Sequence, residues 1–314
     1  MTSAPRPFRF GVQAGGTGNL AEWTELARKV EANGFSTLTM PDHFDEQLAP
    51  VPALQCAADA TSTLRLGALV YDNDYKHPVV LAKELATMDV LSQGRVEIGL
   101  GAGWMATDYA QSGIPYDPPG VRVSRMIEGV TVIKGALGPE PFSFSGDHYT
   151  IAGYNGFPKP IQSPPPLLIG GGGRRVLEFA AREADIVGIN ATLTSGAVDE
   201  TTFASMTADQ TDRKVQIVRD SATEAGRSAE IEMSIRTFMV FITEDVDSAL
   251  DTLAGFTGVP KEVISESPFA LVGPPSKLID ELQQRRQRWG FSYVIVGHND
   301  IDPFAPVVAA LAGV

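Results

Sequence analysis

The chain has 314 residues, 43% of them apolar and 20% charged, a balance typical of packed globular proteins and unlike that of disordered chains. Lys and Arg number 25 against 38 Asp and Glu, and the net charge of −13 disfavours nucleic-acid partners because it repels phosphate backbones. The single cysteine, Cys56, excludes a disulfide framework and a cysteine-based metal site. The sequence carries neither an apolar run long enough for a membrane span nor a secretory signal, so we expect a cytoplasmic protein without membrane contacts.

Short β-rich segments alternate with helical ones along the chain, without an internal linker or low-complexity tract. A first helix is predicted where Asn19 and Glu22 form a capping-box pattern and Gly34 is placed to end the helix. A later helix begins at Pro78, the favoured first helical position, and ends at Gly94. The predicted strands are residues 8–12, 37–40, 65–70, 95–100, 167–169, 186–189, 231–241 and 293–296. Further helices are predicted at 121–137, 174–183, 211–226, 246–256 and 276–289, with a hairpin at 142–151 and a short closing helix.

The alternation of strands with helices predicts a parallel sheet covered by helices. Eight such units in a chain of this length favour a single (β/α)8 TIM barrel over residues 1–314, an α/β fold with insertions in its βα loops. An open doubly wound sheet is the rival, disfavoured because no Gly-x-Gly-x-x-Gly turn follows the first strand. In a barrel the chemistry lies on the loops after the strands, and this rule selects the candidate site residues.

Asp42 and His43 follow the second predicted strand, and the chain has four histidines in all. An imidazole beside a carboxylate on the catalytic face can move protons near neutral pH. The alternative is that Asp42 caps a turn and His43 is a surface residue. His298 follows the eighth strand and is a second candidate, whereas His77 precedes Pro78 and is expected to end a loop. No paired-histidine spacing is present, so we expect no metal site.

The fourth predicted strand ends in alternating glycines, Gly99, Gly101 and Gly103, with Ala102 and Trp104 beside them. Missing side chains let the backbone approach a flat ligand closely, and Trp104 could flank a ring system. A tight corner of the barrel would also use glycine. The first interpretation predicts that a ligand lies against these glycines, and the second predicts that other parts of the protein do.

The fifth predicted strand ends in four glycines, Gly170, Gly171, Gly172 and Gly173, and runs directly into a helix that begins at Arg174. Exposed amides at a helix N-terminus bind anions, and the arginines add positive charge on an otherwise acidic protein. The alternative is a flexible strand–helix turn. The segment predicts a phosphate-type site and is no Walker loop, since no Gly-Lys-Ser/Thr follows.

In this order the segments resemble the luciferase-like monooxygenase family, and within it the branch that uses the deazaflavin coenzyme F420. The resemblance spans nearly the whole chain, and the family's fold is a TIM barrel. Its most specific stretch runs from Leu91-Ser92-Gln93-Gly94-Arg95 to Trp104. Other matching segments are Pro41-Asp42-His43, His77-Pro78, Ile169 with its four following glycines, and Gly273-Pro274-Pro275.

The resemblance implies that Asp42 and His43 lie beside the deazaflavin ring, with His43 as proton donor or acceptor. It implies a cis peptide bond between Leu69 and Val70 that supports one face of the ring, and a coenzyme phosphate held by the glycine turn. Because the protein is acidic overall, we expect Arg174 or Arg175 to contact the phosphate while the acidic tail of the coenzyme runs into solvent. The implied cofactor-binding residues are Asp42, His43, Leu69, Val70, Gly101, Ala102, Gly103, Trp104, Gly170, Gly171, Gly172, Gly173 and Arg174.

We therefore expect an oxidoreductase that transfers hydride between F420 and a small, moderately hydrophobic organic substrate, with His43 and Asp42 as catalytic residues. The alternatives are an FMN-dependent flavin monooxygenase that uses reduced flavin and oxygen, and a non-catalytic flavin-binding barrel. Sugar-phosphate dehydrogenases of this branch have an acidic residue at the position of Trp104 and Asn at that of Thr107, so activity on glucose 6-phosphate is not expected. Family members are commonly homodimers, which implies one here. Loops at 103–120, 190–209 and 255–275 are predicted to wall the substrate pocket.

Overall fold

The computed structural model describes residues 5–16 and 18–314, and its strands and helices alternate along the chain. The strands are β1 (Arg9–Gln13), β2 (Thr37–Met40), β3 (Arg65–Ala68), β4 (Tyr71–Asp72), β5 (Val96–Gly101), β6 (Phe142–Ser145), β7 (Thr150–Tyr154), β8 (Leu167–Gly171), β9 (Ile186–Ile189), β10 (Glu232–Arg236), β11 (Met239–Phe241), β12 (Ala270–Val272) and β13 (Phe291–Gly297). The helices are α1 (Leu20–Ala32), α2 (Pro50–Ala60), α3 (Pro78–Leu91), α4 (Ala106–Ser112), α5 (Pro119–Leu137), α6 (Arg174–Glu183), α7 (Glu200–Ala204), α8 (Ala208–Glu224), α9 (Val246–Thr257), α10 (Lys261–Glu266), α11 (Pro275–Trp289) and α12 (Ile301–Leu311).

Eight parallel strands close into a barrel in the order β3-β2-β1-β13-β10-β9-β8-β5, and β5 pairs back with β3. The predicted (β/α)8 TIM barrel is therefore confirmed. The hairpin β6–β7 is antiparallel and lies outside the barrel, in the insertion between α5 and β8. Because all barrel strands are parallel, their carboxyl ends meet at one rim, where the candidate site residues were predicted.

The third predicted strand, 65–70, is interrupted. β3 ends at Ala68, and the peptide bond between Leu69 and Val70 is cis, as the resemblance implied. The short strand β4 follows and pairs with β5, Tyr71 opposite Leu100. The chain therefore leaves the barrel sheet after Ala68 and pairs with it again at Tyr71, three residues later.

The prediction of one strand over 231–241 is wrong, because the segment forms two strands in two sheets. β10 belongs to the barrel, and the amide of Thr237 donates to the carbonyl of Ile295 at 2.9 Å. Beyond it, the amides of Phe238 and Met239 both donate to the carbonyl of Phe269, at 3.1 and 3.2 Å. This switch of partner directs β11 to β12, outside the barrel.

The amino-terminal end of the barrel is closed by charged side chains that pair with one another. Arg9 Nη1 lies 2.6 Å from Glu97 Oε1, and its Nη2 lies 2.7 Å from Glu232 Oε2. Arg65 Nε donates to the same Glu97 oxygen at 2.6 Å. The Arg9 guanidinium carbon also lies 3.6 Å from the ring centroid of the buried Tyr293. We call these five residues the basal ion cluster.

Apolar side chains between the strands and the surrounding helices form the main core, for example Trp23 and Val30 of α1 and Leu54 of α2. Asn19 caps α1 by accepting hydrogen bonds from the amides of Ala21 and Glu22, as the capping pattern predicted. Within the described residues, no helix combines the length and apolarity needed to cross a membrane.

Candidate active site

A cavity of about 260 Å³ opens at the carboxyl end of the barrel strands. Every predicted site residue except Arg174 lines it, so the structure brings together segments that lie far apart in the chain. The lining residues are Gln13, Asp42, His43, Leu69, Val70, Asp72, Gly101, Ala102, Gly103, Trp104, Pro119, Arg122, Val123, Gly170, Gly171, Gly172, Gly173, Val176, Gly188, Ile189, Asn190, Ala191, Thr192, Leu193, Thr194, Ser234, Arg236 and Phe238.

The carboxylate that contacts His43 is that of Asp108 on α4, not that of its chain neighbour. His43 Nδ1 lies 2.7 Å from Asp108 Oδ2. The Tyr75 hydroxyl donates to the same oxygen at 2.9 Å, and the amide of Phe44 donates to Oδ1 at 3.3 Å. A carboxylate that accepts from these donors also accepts the Nδ1 proton, which leaves Nε2 of the neutral imidazole as a proton acceptor.

Asp42 has a different neighbour. Its Oδ2 accepts a hydrogen bond from the amide of Asp72 at 3.1 Å, so it ties the loop after β2 to β4. Burial raises the pKa of the Asp42 carboxyl above its usual value. The Trp104 ring packs edge-on against the His43 ring, with the centroids 5.6 Å apart.

Asp72 is a second buried carboxyl of the cavity. Its oxygens accept hydrogen bonds from the Tyr109 hydroxyl at 3.1 Å and from the amide of Asp74 at 2.9 Å. Burial raises the pKa of Asp72 to about 7, and the nearby Asp74 acts in the same direction. The sequence rule that singled out strand ends did not find this residue, because β4 was not predicted as a separate strand.

The alternating glycines at the end of β5 are required by packing inside the protein. A Cβ at Gly99 would lie 2.0 Å from the carbonyl oxygen of Ala68, and one at Gly101 would lie 2.4 Å from Val70 Cγ2. A Cβ at Gly103 would lie 1.9 Å from the Tyr109 hydroxyl. The tight-corner interpretation therefore accounts for these glycines, although Gly101 and Gly103 also line the cavity.

The glycine turn after β8 presents bare amides to the cavity. Gly173 is the N-cap residue of α6, no side chain caps this helix, and its first turn contains no acidic residue. A Cβ at Gly173 would meet nothing within 4 Å, whereas one at Gly172 would lie 2.3 Å from the carbonyl oxygen of Ala191. The amides of the first turn are thus open to an anion at Gly173.

The arginines near this turn differ in their surroundings. The side chain of Arg174 is 73% exposed, pairs with Glu178 at 2.7 Å and does not line the cavity. Arg175 reaches across to α5, where it donates to the Gly120 carbonyl and the Ser124 hydroxyl, both at 3.0 Å. The cationic side chain that lines the cavity near the turn is that of Arg122 on α5.

Arg122 is 3% exposed, and its Nε has no hydrogen-bond partner in the described part of the chain. Its Nη1 donates to the Asp117 carbonyl and its Nη2 to the Gly103 carbonyl, and the guanidinium stacks 4.2 Å from the Tyr116 ring centroid. A buried guanidinium without a carboxylate partner is a costly group unless a ligand supplies the charge. The sequence analysis missed this residue because it lies on a helix rather than at a strand end.

Arg236 ends β10 and lines the cavity from the other side. Its Nε donates to Gln13 Oε1 at 3.0 Å, and Gln13 Nε2 donates in turn to the Leu69 carbonyl at 2.9 Å. Its Nη1 donates to the Thr237 carbonyl. Burial lowers the pKa of Arg236 to about 10, and the charge of Asp300 acts in the opposite direction. The strand-end rule could have identified Arg236, had β10 been predicted to end at this residue.

Two of the three predicted wall loops contribute to the cavity. Gly103, Trp104 and Pro119 come from the first, and residues 190–194 from the second. No residue of the described segment 255–275 lines it, so that prediction is wrong. His298 is exposed and lies outside the lining residues. Among the described residues, no group of three or more His, Cys, Asp or Glu side chains is arranged to hold a metal ion.

Comparison with known proteins gives curated relatives with two different cofactors. The chain is 30% identical over 168 residues to the FMNH2-dependent dimethylsulfone monooxygenase of Pseudomonas putida, a match covering 51% of this chain and 46% of that protein. It is 26% identical over 279 residues to the F420-dependent glucose-6-phosphate dehydrogenase of Amycolatopsis mediterranei, covering 84% and 79%. The chain spans less than two thirds of several relatives, including uncharacterised mycobacterial proteins of which 64% is matched.

The fold is shared with solved structures. The F420-dependent tetrahydromethanopterin reductase of Methanopyrus kandleri superposes with a TM-score of 0.77 at 22% identity, over 97% of this chain and 99% of that chain. A sequence profile of luciferase-like monooxygenases matches residues 6–290, which confirms the resemblance inferred from the motifs. The chain therefore belongs to the luciferase-like monooxygenase family.

Proposed function

We propose that the protein is an oxidoreductase that transfers hydride between coenzyme F420 and a small, moderately hydrophobic organic substrate. The observation that carries the proposal is that one cavity joins the His43 imidazole, oriented by Asp108, to the uncapped N-terminus of α6. The relative from A. mediterranei, which is matched over most of its length, is named as an F420-dependent enzyme. The named substrate of that relative is not transferred, because Trp104 and Thr107 depart from the pattern of the sugar-phosphate enzymes.

The residues present fit an anionic coenzyme. The open amides beside Gly173 and the unpartnered Nε of the buried Arg122 are complementary to the coenzyme's phosphate. The exposed Arg174 lies at the outer side of the same helix start, and the acidic tail of the coenzyme would run past it towards solvent. Asp42, His43, Leu69 and Val70 would lie beside the ring. When bound, the deazaflavin supplies the group that accepts or donates the hydride.

In this proposal His43 handles the proton that accompanies the hydride. With Nδ1–H held by Asp108, Nε2 accepts the proton of a substrate hydroxyl as hydride leaves the adjacent carbon. In the reverse direction the protonated ring returns that proton to the carbonyl oxygen. Asp108 and Tyr75 act as positioning residues, since they contact the imidazole or its carboxylate partner.

A second candidate is an FMN-dependent monooxygenase that uses reduced flavin and oxygen. The identity to the P. putida enzyme favours it, and the anion site at Gly173 would accept an FMN phosphate equally well. The Asp42-His43 motif of the F420 branch is the reason for preferring the deazaflavin.

Titration of the purified protein with oxidised and reduced F420, and separately with oxidised and reduced FMN, tests the choice. We expect F420 to bind at micromolar concentration and FMN more weakly, without oxygen uptake in the presence of a flavin reductase. Absence of F420 binding, together with flavin-dependent oxygen consumption, would replace the proposal by the second candidate. Binding of either cofactor without turnover on any alcohol or carbonyl compound would favour a non-catalytic barrel.

Asp108→Asn tests the positioning of His43. The amide preserves the shape of the carboxylate but can donate to Nδ1, which would move the ring proton to Nε2 and turn the base into a donor. We expect kcat for alcohol oxidation to fall and its pH profile to change, with F420 affinity unchanged. A variant with the parent's pH profile would remove Asp108 from this role.

A further inference from the structure

We propose that Arg236 binds a carboxylate of the substrate, so that the second ligand of the cavity is a small molecule with one apolar part and one negative charge. The inference deepens the proposed function and rests on it for the assignment of the coenzyme to the other side of the cavity. It starts from a half-buried cation of the cavity that forms no salt bridge in the described part of the chain.

Arg236 has hydrogen-bond partners but no anionic one. Its Nε and Nη1 donate to neutral oxygens, those of the Gln13 amide and the Thr237 carbonyl. In the described part of the chain no ion pair joins it to a carboxylate, and Nη2 has no acceptor. The Asp300 carboxylate lies near Arg236 without forming a salt bridge with it: a Cβ at Gly297 would lie 3.0 Å from Asp300 Oδ2 and 3.2 Å from Arg236 Nη2. The charge of Asp300 raises the pKa of Arg236, but the hydrogen bond of its Oδ2 is with the amide of Gly297, at 3.1 Å.

The position of Arg236 separates it from the predicted coenzyme contacts. Those contacts follow β2, β3, β5 and β8, which occupy one half of the barrel rim, whereas Arg236 ends β10 in the other half. The neighbouring residues of that half are apolar or neutral: Ile189, Leu193, Ser234 and Phe238. The guanidinium carbon lies 5.0 Å from the Phe238 ring centroid, at the edge of the cavity.

A carboxylate suits this site better than a phosphate dianion. One guanidinium balances one negative charge, and a carboxylate matches its planar pair of N–H donors. Arg236 is also fixed in direction through Gln13, whose amide is anchored on the Leu69 carbonyl. A substrate carboxylate on Arg236 would hold the molecule at one end while the reacting carbon lies toward His43 on the opposite side of the same cavity.

The test compares benzoate with benzamide, two probes of equal shape that differ in charge, by calorimetry at low ionic strength up to millimolar concentration. We expect the parent protein to bind benzoate about tenfold or more tightly than benzamide, because charge-assisted hydrogen bonds are roughly twice as strong as neutral ones. Arg236→Gln should abolish that preference, and Arg236→Lys should retain part of it. Arg28→Gln, on the exposed face of α1, is the matched control and should behave as the parent.

Gln13→Glu provides a variant that keeps the guanidinium. A carboxylate at this position would pair with Arg236 internally, so the benzoate preference should disappear although Arg236 is still present. An unchanged preference in both Arg236→Gln and Gln13→Glu, or no preference in the parent protein, would overturn the inference.

F420 titrations on the same proteins separate this inference from the proposed function. We expect Arg236→Gln to bind F420 as the parent does. If the parent fails to bind F420 but shows an Arg236-dependent preference for benzoate, the proposed cofactor is wrong and the carboxylate site stands. If Arg236→Gln weakens F420 binding and leaves benzoate binding unchanged, Arg236 binds an anionic group of the coenzyme and not a carboxylate of the substrate. The inference is then wrong.

Discussion

Charged side chains lie at both ends of the barrel, but the arginines that line the cavity at the carboxyl end form no salt bridge within the described residues. At the amino-terminal end, Arg9 lies within hydrogen-bond distance of both Glu97 and Glu232, so each charge has a partner. At the carboxyl end, Arg122 has an unpartnered Nε and Arg236 forms no salt bridge with any carboxylate of the described chain. In the basal ion cluster every charged side chain thus has a partner of opposite charge, whereas Arg122 and Arg236 do not form a salt bridge within the described residues. We call the carboxyl end, with these two arginines, the open end.

The difference indicates what each end is for. An ion that is buried without a partner costs several kcal/mol, so it persists where a ligand supplies the missing charge. The basal ion cluster needs nothing further and contributes to the specificity of the fold. The open end is less stable than it would be with paired charges, but it can bind an anion. Removal from water also raises the pKa of two of its carboxyls, the half-buried Asp42 and the buried Asp72.

The largest expected effect is at the open end. His43→Asn should lower kcat by about 10²- to 10⁴-fold, since it removes the general acid or base. The melting temperature should stay near that of the parent because the basal ion cluster is untouched, and the F420 affinity because the anion site at Gly173 is untouched. Steady-state kinetics and thermal melts check both. Glu46→Gln, an exposed change in the same loop, is the control; equal turnover in the His43 variant would exclude His43 from the chemistry.

Glu97→Gln, at the amino-terminal end, should lower the stability of the fold and leave cofactor binding unchanged. It leaves Arg9 and Arg65 without their shared carboxylate, and we expect a loss of about 2–4 kcal/mol in the free energy of unfolding. The F420 dissociation constant should not change. Asp302→Asn, which removes an exposed pair with Lys29, should cost less than about 1 kcal/mol. Equal losses in the two variants, measured by urea unfolding, would contradict the contrast between the ends.

Gly173→Asp should change stability and cofactor binding in opposite directions, because it caps α6 and fills the open anion site. Aspartate is a good N-cap residue, and the extended backbone at position 173 accepts it, so the fold should gain roughly a few tenths of a kcal/mol. The new carboxylate would occupy the open amides and repel the coenzyme, weakening F420 binding by about tenfold or more. Gly173→Ala is the matched control, since its Cβ meets nothing within 4 Å. Tighter or equal F420 binding to the aspartate variant would rule out the glycine turn as the phosphate site.

The last expected effect is a pH dependence of stability, which arises from a single carboxyl of the open end. The pKa of Asp72 is raised to about 7 in the folded state, and its value in the unfolded chain is about 3.9. Between these values the folded protein holds a proton that the unfolded chain releases, so the free energy of unfolding falls as the pH rises. Asp72→Asn should lose less stability than the parent between pH 4.5 and 7.5 in urea titrations. Parallel pH curves would argue against a raised pKa.

The strand-end rule found the parts of the cavity around His43, Trp104 and Gly173, because parallel strands bring their carboxyl ends to one rim. His43 and the turn at Gly173 were predicted by this rule, and the cis bond after Leu69 was implied by the family resemblance. These residues line one cavity. The rule failed where a strand changes partner. The segment 231–241 was predicted as one strand, and its division at Thr237 hid the fact that Arg236 lies at the rim.

Pairings between distant side chains were beyond the sequence. The histidine was expected to work with Asp42, which adjoins it in the chain, yet Asp108 lies against it from 65 positions away. Arg174 was predicted on the basis of its place beside the glycine turn, but it points to solvent and pairs with Glu178, while Arg122 from another helix lines the cavity. Neighbours in sequence share a loop, and loop direction decides which of them faces the cavity.

The sequence by itself determined the (β/α)8 architecture, the family and the rim on which the candidate chemistry lies, because periodicity, glycine positions and strand order are local properties of the chain. Only the tertiary structure decided which charges are paired. Ion pairs such as Arg9 with Glu232 join residues 223 positions apart. The lack of a salt bridge at Arg122 and Arg236 is recognised only from the described residues that surround them in space. The energy of a buried charge depends on its neighbours and on excluded water, which are fixed when the barrel closes.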